Sequence, residues 1–419
     1  MPDAHVDVLV MIGEQELFAG RLWTHRRRAE SATFSYETEF LAHPAAYGLD
    51  PMLPLQAGQQ QTPVGQPMFG AFTDCAPDRW GRRLLQRAER QRARDHGGTE
   101  RSFGEIDYLL GVRDDLRQGA LRFRDPASGA YLAAERGGIP HLVDLPPLLA
   151  AADRLDRDAV SEAELRLLLR GGSSLGGARP KAHVRYGGGR LGIAKFPSPS
   201  SDHWDVIRWE AVAMSLADEA GIRVPDWQLH LVDGSPVVIV ERFDRDGARR
   251  VGYASAMTML EASEREQHSY LEIAEVIEDR SPSATADIRQ LWRRIAFSIL
   301  ISNTDDHLRN HGFLRTSTAG WSLSPAFDLN PDPRPGEKHL STAIDDGTTA
   351  ARVDVLMDVA ALFRLSDAGA RRVLGEVVRA TSRWRTAAEA HGLDRDAIEE
   401  MTPAFEHDQA ELAASLAHS

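Results

Sequence analysis

The chain runs to 419 residues and sets 49 Lys and Arg against 62 Asp and Glu, a formal net charge of −13. That length points to two or three structural units with at least one large core, and 42% hydrophobic with 26% charged residues lies far from the composition of disordered chains. The acidic balance argues against a protein whose main task is to wrap nucleic acid or lie on an anionic membrane, because either partner would repel it at long range.

The N-terminus, MPDAHVDVLVMIGEQELF, carries early acids and no basic segment ahead of an apolar one, so it does not read as a secretory signal. Val6, Val8 and Val10 recur at every second position before a Gly13-Glu14-Gln15 turn and Leu17 to Trp23, the pattern of an opening β-hairpin. From Leu53 to Pro77, frequent Pro and Gly predict loop with short extended pieces. Cys75 lies there, one cysteine that can neither form an intrachain disulfide nor build a zinc cluster; it reads as a buried thiol in a reducing cytosol. Asp78 is placed to cap a helix over 79–94, whose Arg79, Arg82, Arg83, Arg87, Arg90, Arg92 and Arg94 make a local basic face. That face is either solvated and paired with acids such as Glu89 or a surface for a partner or DNA. Ser102 to Glu105 has capping-box spacing ahead of Ile106, Leu109 and Leu110.

Leu121 to Phe123 predicts a strand closing the first unit, with a boundary near residue 130 and a helical stretch from Val143 to Arg170. A glycine-rich loop follows, then a strand (Leu191 to Phe196), a helix (Val206 to Glu219) and two strands (Gln228 to Val232, Pro236 to Glu241). Trp204, Trp209 and Trp227 are expected to pack this region, since no interleaved basic residues make them a base-stacking platform. After Phe243 helices dominate: Tyr270 to Ile277, Ile288 to Ile301, Val353 to Phe363, Ala368 to Ala380 and a stretch from Asp396. The division expected is 1–130, 131–243 and 244–419. The longest apolar runs fall well short of the ~20 residues that cross a bilayer.

Chemistry concentrates in Asn303-Thr304-Asp305-Asp306-His307-Leu308-Arg309-Asn310. An aspartate five positions before an asparagine has the spacing of a protein-kinase catalytic loop, in which the aspartate takes the hydroxyl proton and the asparagine holds a metal. Asp306 competes for the role of base, but the spacing to Asn310 favours Asp305; His307 is expected to prop the loop. Further on, Asp328 in Ser324 to Leu329 can pair with Asn310 to offer Mg²⁺ two hard oxygens, leaving its other positions to water and phosphate. Upstream, Lys195 interrupts the apolar strand Ile193-Ala194-Lys195-Phe196, and Glu210 in the next helix is placed to pair with it. Gly171 to Lys181 can form an anion nest of backbone amides with Lys181 adding charge, although it is neither a Walker A loop nor G-x-G-x-x-G. A strand ending in Val240-Glu241-Arg242-Phe243 completes the order as a possible adenine hinge.

The sequence resembles the HipA-like serine/threonine kinases, toxins of bacterial toxin–antitoxin modules. The resemblance spans nearly the whole chain and rests on Phe34 to Tyr36, Leu49 to Pro51, Pro77 to Arg82, Gly119 to Phe123, Ser173 to Lys181, Val240 to Arg245, Thr304 to Asn310 and Phe327-Asp328. It implies an α+β, two-lobed protein-kinase-like fold with an extra N-terminal β-rich subdomain and a mostly helical C-terminal lobe. It implies ATP and Mg²⁺ as cofactors, Asp305 as base, Asn310 and Asp328 as metal ligands, and Lys195 as the phosphate-binding lysine. It also implies Glu241, Arg242 and Phe243 as hinge, and Ser174, Leu175, Gly176, Gly177 and Lys181 as nucleotide-loop contacts. Autophosphorylation would fall on Ser174 or the adjacent Ser173, where about two added negative charges beside the phosphate site make a switch. By the same resemblance, the partner is a HipB-type helix-turn-helix antitoxin, DNA is met only through it, and the target is an aminoacyl-tRNA synthetase. The chain departs from the family in Arg179-Pro180 and in the acidic segment His268 to Glu272. Two rival readings stand beside this one: a catalytically silent scaffold of the same fold, and a DNA-bound regulator using the arginine helix.

Overall fold

The structure, a computed structural model, describes residues 5–26, 29–133, 138–172, 179–263 and 266–418. The chain divides into two compact units. The first comprises Met1–Ser200, Val232–Ser235 and Glu241–Ala254, the second Ser201–Leu231, Pro236–Val240 and Ser255–Ser419.

In the first unit, β1 (His5–Ile12), β2 (Gln15–Arg26), β3 (Glu30–Tyr36), β4 (Gln59–Gln61) and β5 (Leu121–Arg124) form an antiparallel sheet in the order β4-β3-β2-β1-β5. The two-residue period of β1 puts Val6, Val8 and Val10 into a core shared with Phe34, Tyr36, Phe40, Phe69, Phe72 and Phe123. Gly20 lets β2 and β3 close: a Cβ there would stand 2.1 Å from Ser35 O. The stretch read as loop from Leu53 to Pro77 also carries a short helix, Gly70–Asp74, held by its Phe69, Ala71 and Phe72 contacts with this core.

Asp78 caps the helix Arg79–Asp95 by accepting from Gly81 N at 2.7 Å. Its arginines meet acids: Arg82 meets Glu105, Arg83 meets Asp156, Arg87 meets Asp158, Arg90 meets Glu100 and Arg92 meets Glu89. The next helix, Glu105–Gly111, is capped at Gly104 and not at Ser102; Asp107 accepts from Gly104 N at 2.8 Å, and Glu30 takes Glu105 N at 3.0 Å. The predicted stretch from Val143 to Arg170 is two helices, Leu145–Asp156 and Glu162–Arg170, the second started by a Ser161–Glu164 capping box. β6 (Lys181–Tyr186) and β7 (Arg190–Lys195) then pair as an antiparallel hairpin around Gly187–Gly189.

The second unit contains the helix Val206–Glu219, mostly buried, and neighbouring strands β8 (Trp227–Val232) and β9 (Ser235–Glu241), of which Val232, Ser235 and Glu241 lie in the first unit. Ile207 and Met214 pack on Val238 and Val240, with Trp227 half-buried beside them. Trp209 sits among Trp384 and Phe405, whose rings stack at 4.7 Å. The helix Ala284–Leu300 runs through the core on Leu291, Trp292, Ile295, Phe297 and Ile299, with Trp292 Nε1 donating to Leu356 O at 3.2 Å. A hairpin, Gly312–Ser317 with Gly320–Leu323, interrupts the otherwise helical run, and the stretch from Asp396 is broken into short helices. Among the described residues no helix is long and apolar enough to cross a membrane.

Candidate active site

The helix Ala284–Leu300 delivers the loop that the sequence singled out. Its end is closed by Asn303 N donating to Ser298 O at 2.8 Å, and Ser302 turns the chain with φ +53°. Two consecutive aspartates then part. Asp305 is exposed, whereas Asp306 is buried. Asp306 Oδ2 accepts from Tyr270 OH at 2.7 Å and Ser298 Oγ at 3.3 Å, and Oδ1 lies 3.2 Å from His311 Nε2. Burial alone would raise the Asp306 carboxyl, but His311 and Tyr270 outweigh it and hold the group below the ordinary carboxylate range. So engaged, Asp306 is an anchor for the loop, and Asp305 is the carboxylate offered to solvent.

Behind Asp305 the chain closes on itself. His307 N donates to Asp305 O at 3.0 Å, Asn310 N to His307 O at 2.8 Å, and Asn310 Nδ2 to Asp305 O at 2.9 Å. The Asn310 amide is thereby oriented, with Nδ2 committed to the loop and Oδ1 the atom suited to a cation.

The segment after the hairpin is stitched to this loop almost residue by residue. Asn330 N donates to Asn303 Oδ1 at 3.3 Å, Thr304 Oγ1 to Asp332 Oδ2 at 3.3 Å, Ser341 Oγ to Thr304 O at 2.9 Å, and Thr342 Oγ1 to Asp306 O at 2.7 Å. Pro331, Asp332 and Pro333 are buried, and Arg334, exposed, folds back onto the Asp332 carboxylate. Asp328, half-buried at φ +60°, begins this segment and has Asn330 Nδ2 3.4 Å from Oδ1. Asn310 and Asp328 thus belong to two strings of residues tied together by hydrogen bonds. Their amide and carboxylate oxygens suit Mg²⁺, which takes few protein ligands and shares the rest with phosphate and water. No group of three or more His, Cys, Asp or Glu among the described residues forms a cage of its own.

In the first unit, Lys195 ends β7 and is half-buried. Lys181 begins β6, buried, its Nζ 2.6 Å from Asp78 Oδ2, so a nucleotide phosphate at Lys181 would compete with that carboxylate. Glu241 accepts from Tyr186 OH and Arg190 Nη1, each at 2.7 Å. Arg242 is 2% exposed; its N donates to Leu191 O and its guanidinium grips Asp244, so this side chain, expected at the hinge, is already engaged. Asp244 is driven well below the ordinary range, burial being outweighed by Arg242 and Arg245. Phe243 is half-buried beside Tyr253. In the second unit, Glu210 is 2% exposed within its helix. Ser173, Ser174, Leu175, Gly176 and Gly177 lie outside the described residues. Sequence reasoning missed Tyr270, His311, Asp332 and Thr342; the one local signal was the acidic His268 to Glu272 segment, a capping box in which Ser269 and Glu272 start the helix Tyr270–Arg280.

The HipA-like C-terminal domain matches residues 173–389, more than half of the chain. The chain belongs to the HipA-like family. Among solved structures, the Shewanella oneidensis toxin–antitoxin complex of HipA, HipB and operator DNA contains a chain with a TM-score of 0.68 at 17% identity, the match covering 99% of this chain and 96% of that one. The HipA fold therefore extends over the N-terminal sheet as well, and the α+β class expected from the sequence holds. Two curated relatives are kinases by name: “Putative kinase Y4dM” of Sinorhizobium fredii, 30% identical over 146 residues, and “Putative kinase” of Haemophilus influenzae, 28% identical over 135. These matches cover 31% and 29% of this HipA-like chain and 35% and 39% of the relatives, so the chain matches little more than a third of either relative's length.

Proposed function

We propose that this HipA-like chain is an ATP- and Mg²⁺-dependent protein serine/threonine kinase. The observation that carries the reading is the parting of the two aspartates: Asp305 exposed where a hydroxyl can reach it, Asp306 buried as its anchor, with Asn310 braced on Asp305 O. Asp305 orients the acceptor hydroxyl and takes its proton as the γ-phosphoryl group transfers. Asn310 and Asp328 would hold Mg²⁺, which when bound neutralises phosphate charge. Lys195, oriented by Glu210, binds the phosphates; Glu241 to Phe243 meet the adenine; and the loop carrying Ser174, Leu175, Gly176, Gly177 and Lys181 covers the nucleotide, with Ser174 or Ser173 as the autophosphorylation site. The likeness to a HipA crystallised with HipB supports a HipB-type antitoxin as partner, contact with DNA through that partner alone, and a cytosolic setting. An aminoacyl-tRNA synthetase is the proposed target, and the divisions 1–130, 131–243 and 244–419 are the proposed functional parts.

The test is intact mass and peptide mapping of the chain and of Asp305→Ala, both checked for folding, before and after Mg·ATP. Phosphate on Ser174 or Ser173 in the parent and none in the variant is expected. Nucleotide binding with no phosphate transfer to itself or to candidate protein targets would favour the silent scaffold instead.

A further inference from the structure

Gly171 and His183, on either side of the glycine-rich stretch, meet at one hydrogen-bonded point. Gly171 O accepts from His183 N at 2.7 Å and lies 2.9 Å from His183 Nδ1, so residues 171 and 183 close the loop's base from opposite sides. Neither glycine at this base admits a side chain: a Cβ on Gly171 would stand 2.7 Å from Ala182 Cβ, and one on Gly172, at φ +77°, 2.3 Å from Leu116 Cδ1. Arg113 Nη1 holds the preceding carbonyl, Arg170 O, at 2.8 Å.

His183 itself is 2% exposed, and its other ring nitrogen, Nε2, is 3.1 Å from Arg242 Nη1. An arginine can only donate and a carbonyl can only accept, which fixes the ring: Nδ1 carries the proton toward Gly171 O, and Nε2 accepts from Arg242. Burial, with the Arg242 charge added, keeps His183 far below its ordinary pKa and so neutral, as this double role requires. Arg242 is engaged on its other sides as well. It reaches Leu116 O at 2.5 Å, Arg117 O at 3.1 Å and both Asp244 oxygens, and Asp244 in turn takes Gly119 N at 2.7 Å.

We infer that His183 is a positioning residue, the pin that fastens the base of the glycine-rich loop to Arg242 and so to the stretch 241–244. This rests on the kinase reading, in which the loop and that stretch hold opposite ends of one nucleotide. Without the pin both remain, but Gly171 and β6 are no longer held in register with residues 241–244. His183 touches no nucleotide; its contribution is to the affinity with which nucleotide is bound, and not to the transfer step.

The test uses full-length His183→Phe, which removes both ring hydrogen bonds while Arg242 keeps its carbonyl and carboxylate partners, and His183→Gln, whose amide can donate to Gly171 O and accept from Arg242. Deuterium exchange is read at peptides covering 179–186, and calorimetry gives the Kd of a non-hydrolysable Mg·ATP analogue. His183→Phe is expected to exchange faster at the loop base and to raise Kd by about tenfold with kcat near parental, and His183→Gln to restore both. Should His183→Phe fail to fold, His183→Leu replaces it. Parental exchange and Kd in the apolar variant would overturn the inference, as would a Gln variant no better than Phe. If the parent binds no nucleotide, the kinase reading has failed, and the exchange comparison alone decides whether His183 pins the loop.

Discussion

Neighbouring residues of one chemical type divide their labour by burial. Asp306→Asn keeps the shape of the anchor but removes its charge and puts an NH2 donor in place of one of the two oxygens that accept from Tyr270 and Ser298 on one side and face His311 on the other. We expect a loss of about 2 kcal/mol of stability, read by urea unfolding, and lower activity through a loosened loop; Asp305→Asn, at an exposed position, should abolish phosphoryl transfer with an unchanged urea midpoint. Asp50 offers a pH test of the same logic. Its Oδ2 accepts from Ala71 N at 2.8 Å, and burial pushes its carboxyl up to about 6, against which the backbone amides of Ala71, Met52 and Leu53 work only in part. An acid whose folded pKa is raised keeps its proton in the fold after the unfolded chain has lost it. Stability should therefore fall as pH rises from about 4 to about 6 and then level, by roughly 3 kcal/mol, and the difference between parent and Asp50→Asn in denaturant midpoint across that window should show it. At Asp328, φ +60° is a conformation that Asp and Asn tolerate and alanine resists. Asp328→Asn is accordingly the variant that removes the charge of the proposed metal ligand without also straining the backbone.

The sequence was most legible where one element carries its own signals. The alternation of Val6, Val8 and Val10 has the period of the strand it forms, and Asp78 caps the helix it precedes. Legibility failed where a distant residue decides. Ser102/Glu105 and Gly104/Asp107 have the same three-residue spacing, and Glu30, from another strand, takes Glu105 N and fixes the start at Gly104. β6 was not read at all, because Lys181 and His183 face inward, an arrangement made tolerable by Asp78 and Arg242 far along the chain. The spacing from Asp305 to Asn310 is local and stands in the sequence; the Tyr270 and Thr342 contacts that hold the loop do not. The Lys181–Asp78 pair allows an element-scale test. Lys181→Met alone should cost about 3 kcal/mol by leaving a buried carboxylate unpaired. Lys181→Met with Asp78→Asn, which keeps the helix cap, should recover much of that in a double-mutant cycle read by thermal and urea unfolding.

For the molecule as a whole, net charge and local charge agree. The chain carries −13, and five of the seven arginines on the helix Arg79–Asp95 are paired with acids. The chain alone should therefore give no mobility shift with duplex DNA at low salt; a salt-sensitive shift without any partner would revive a regulator that reads DNA through this helix. The two units also share the chain unevenly, the first taking back Glu241–Ala254 after the second has begun. Leu116 O and Arg117 O wait for Arg242, Gly119 N for Asp244, and Asp114 for Arg250. During synthesis, then, a nascent chain that has released its first 200 residues still lacks the charges that close its N-terminal unit. Translation must run on past residue 250 before that unit can finish folding, and the glycine-rich loop gains its fixed base only in a polypeptide already committed to making the rest.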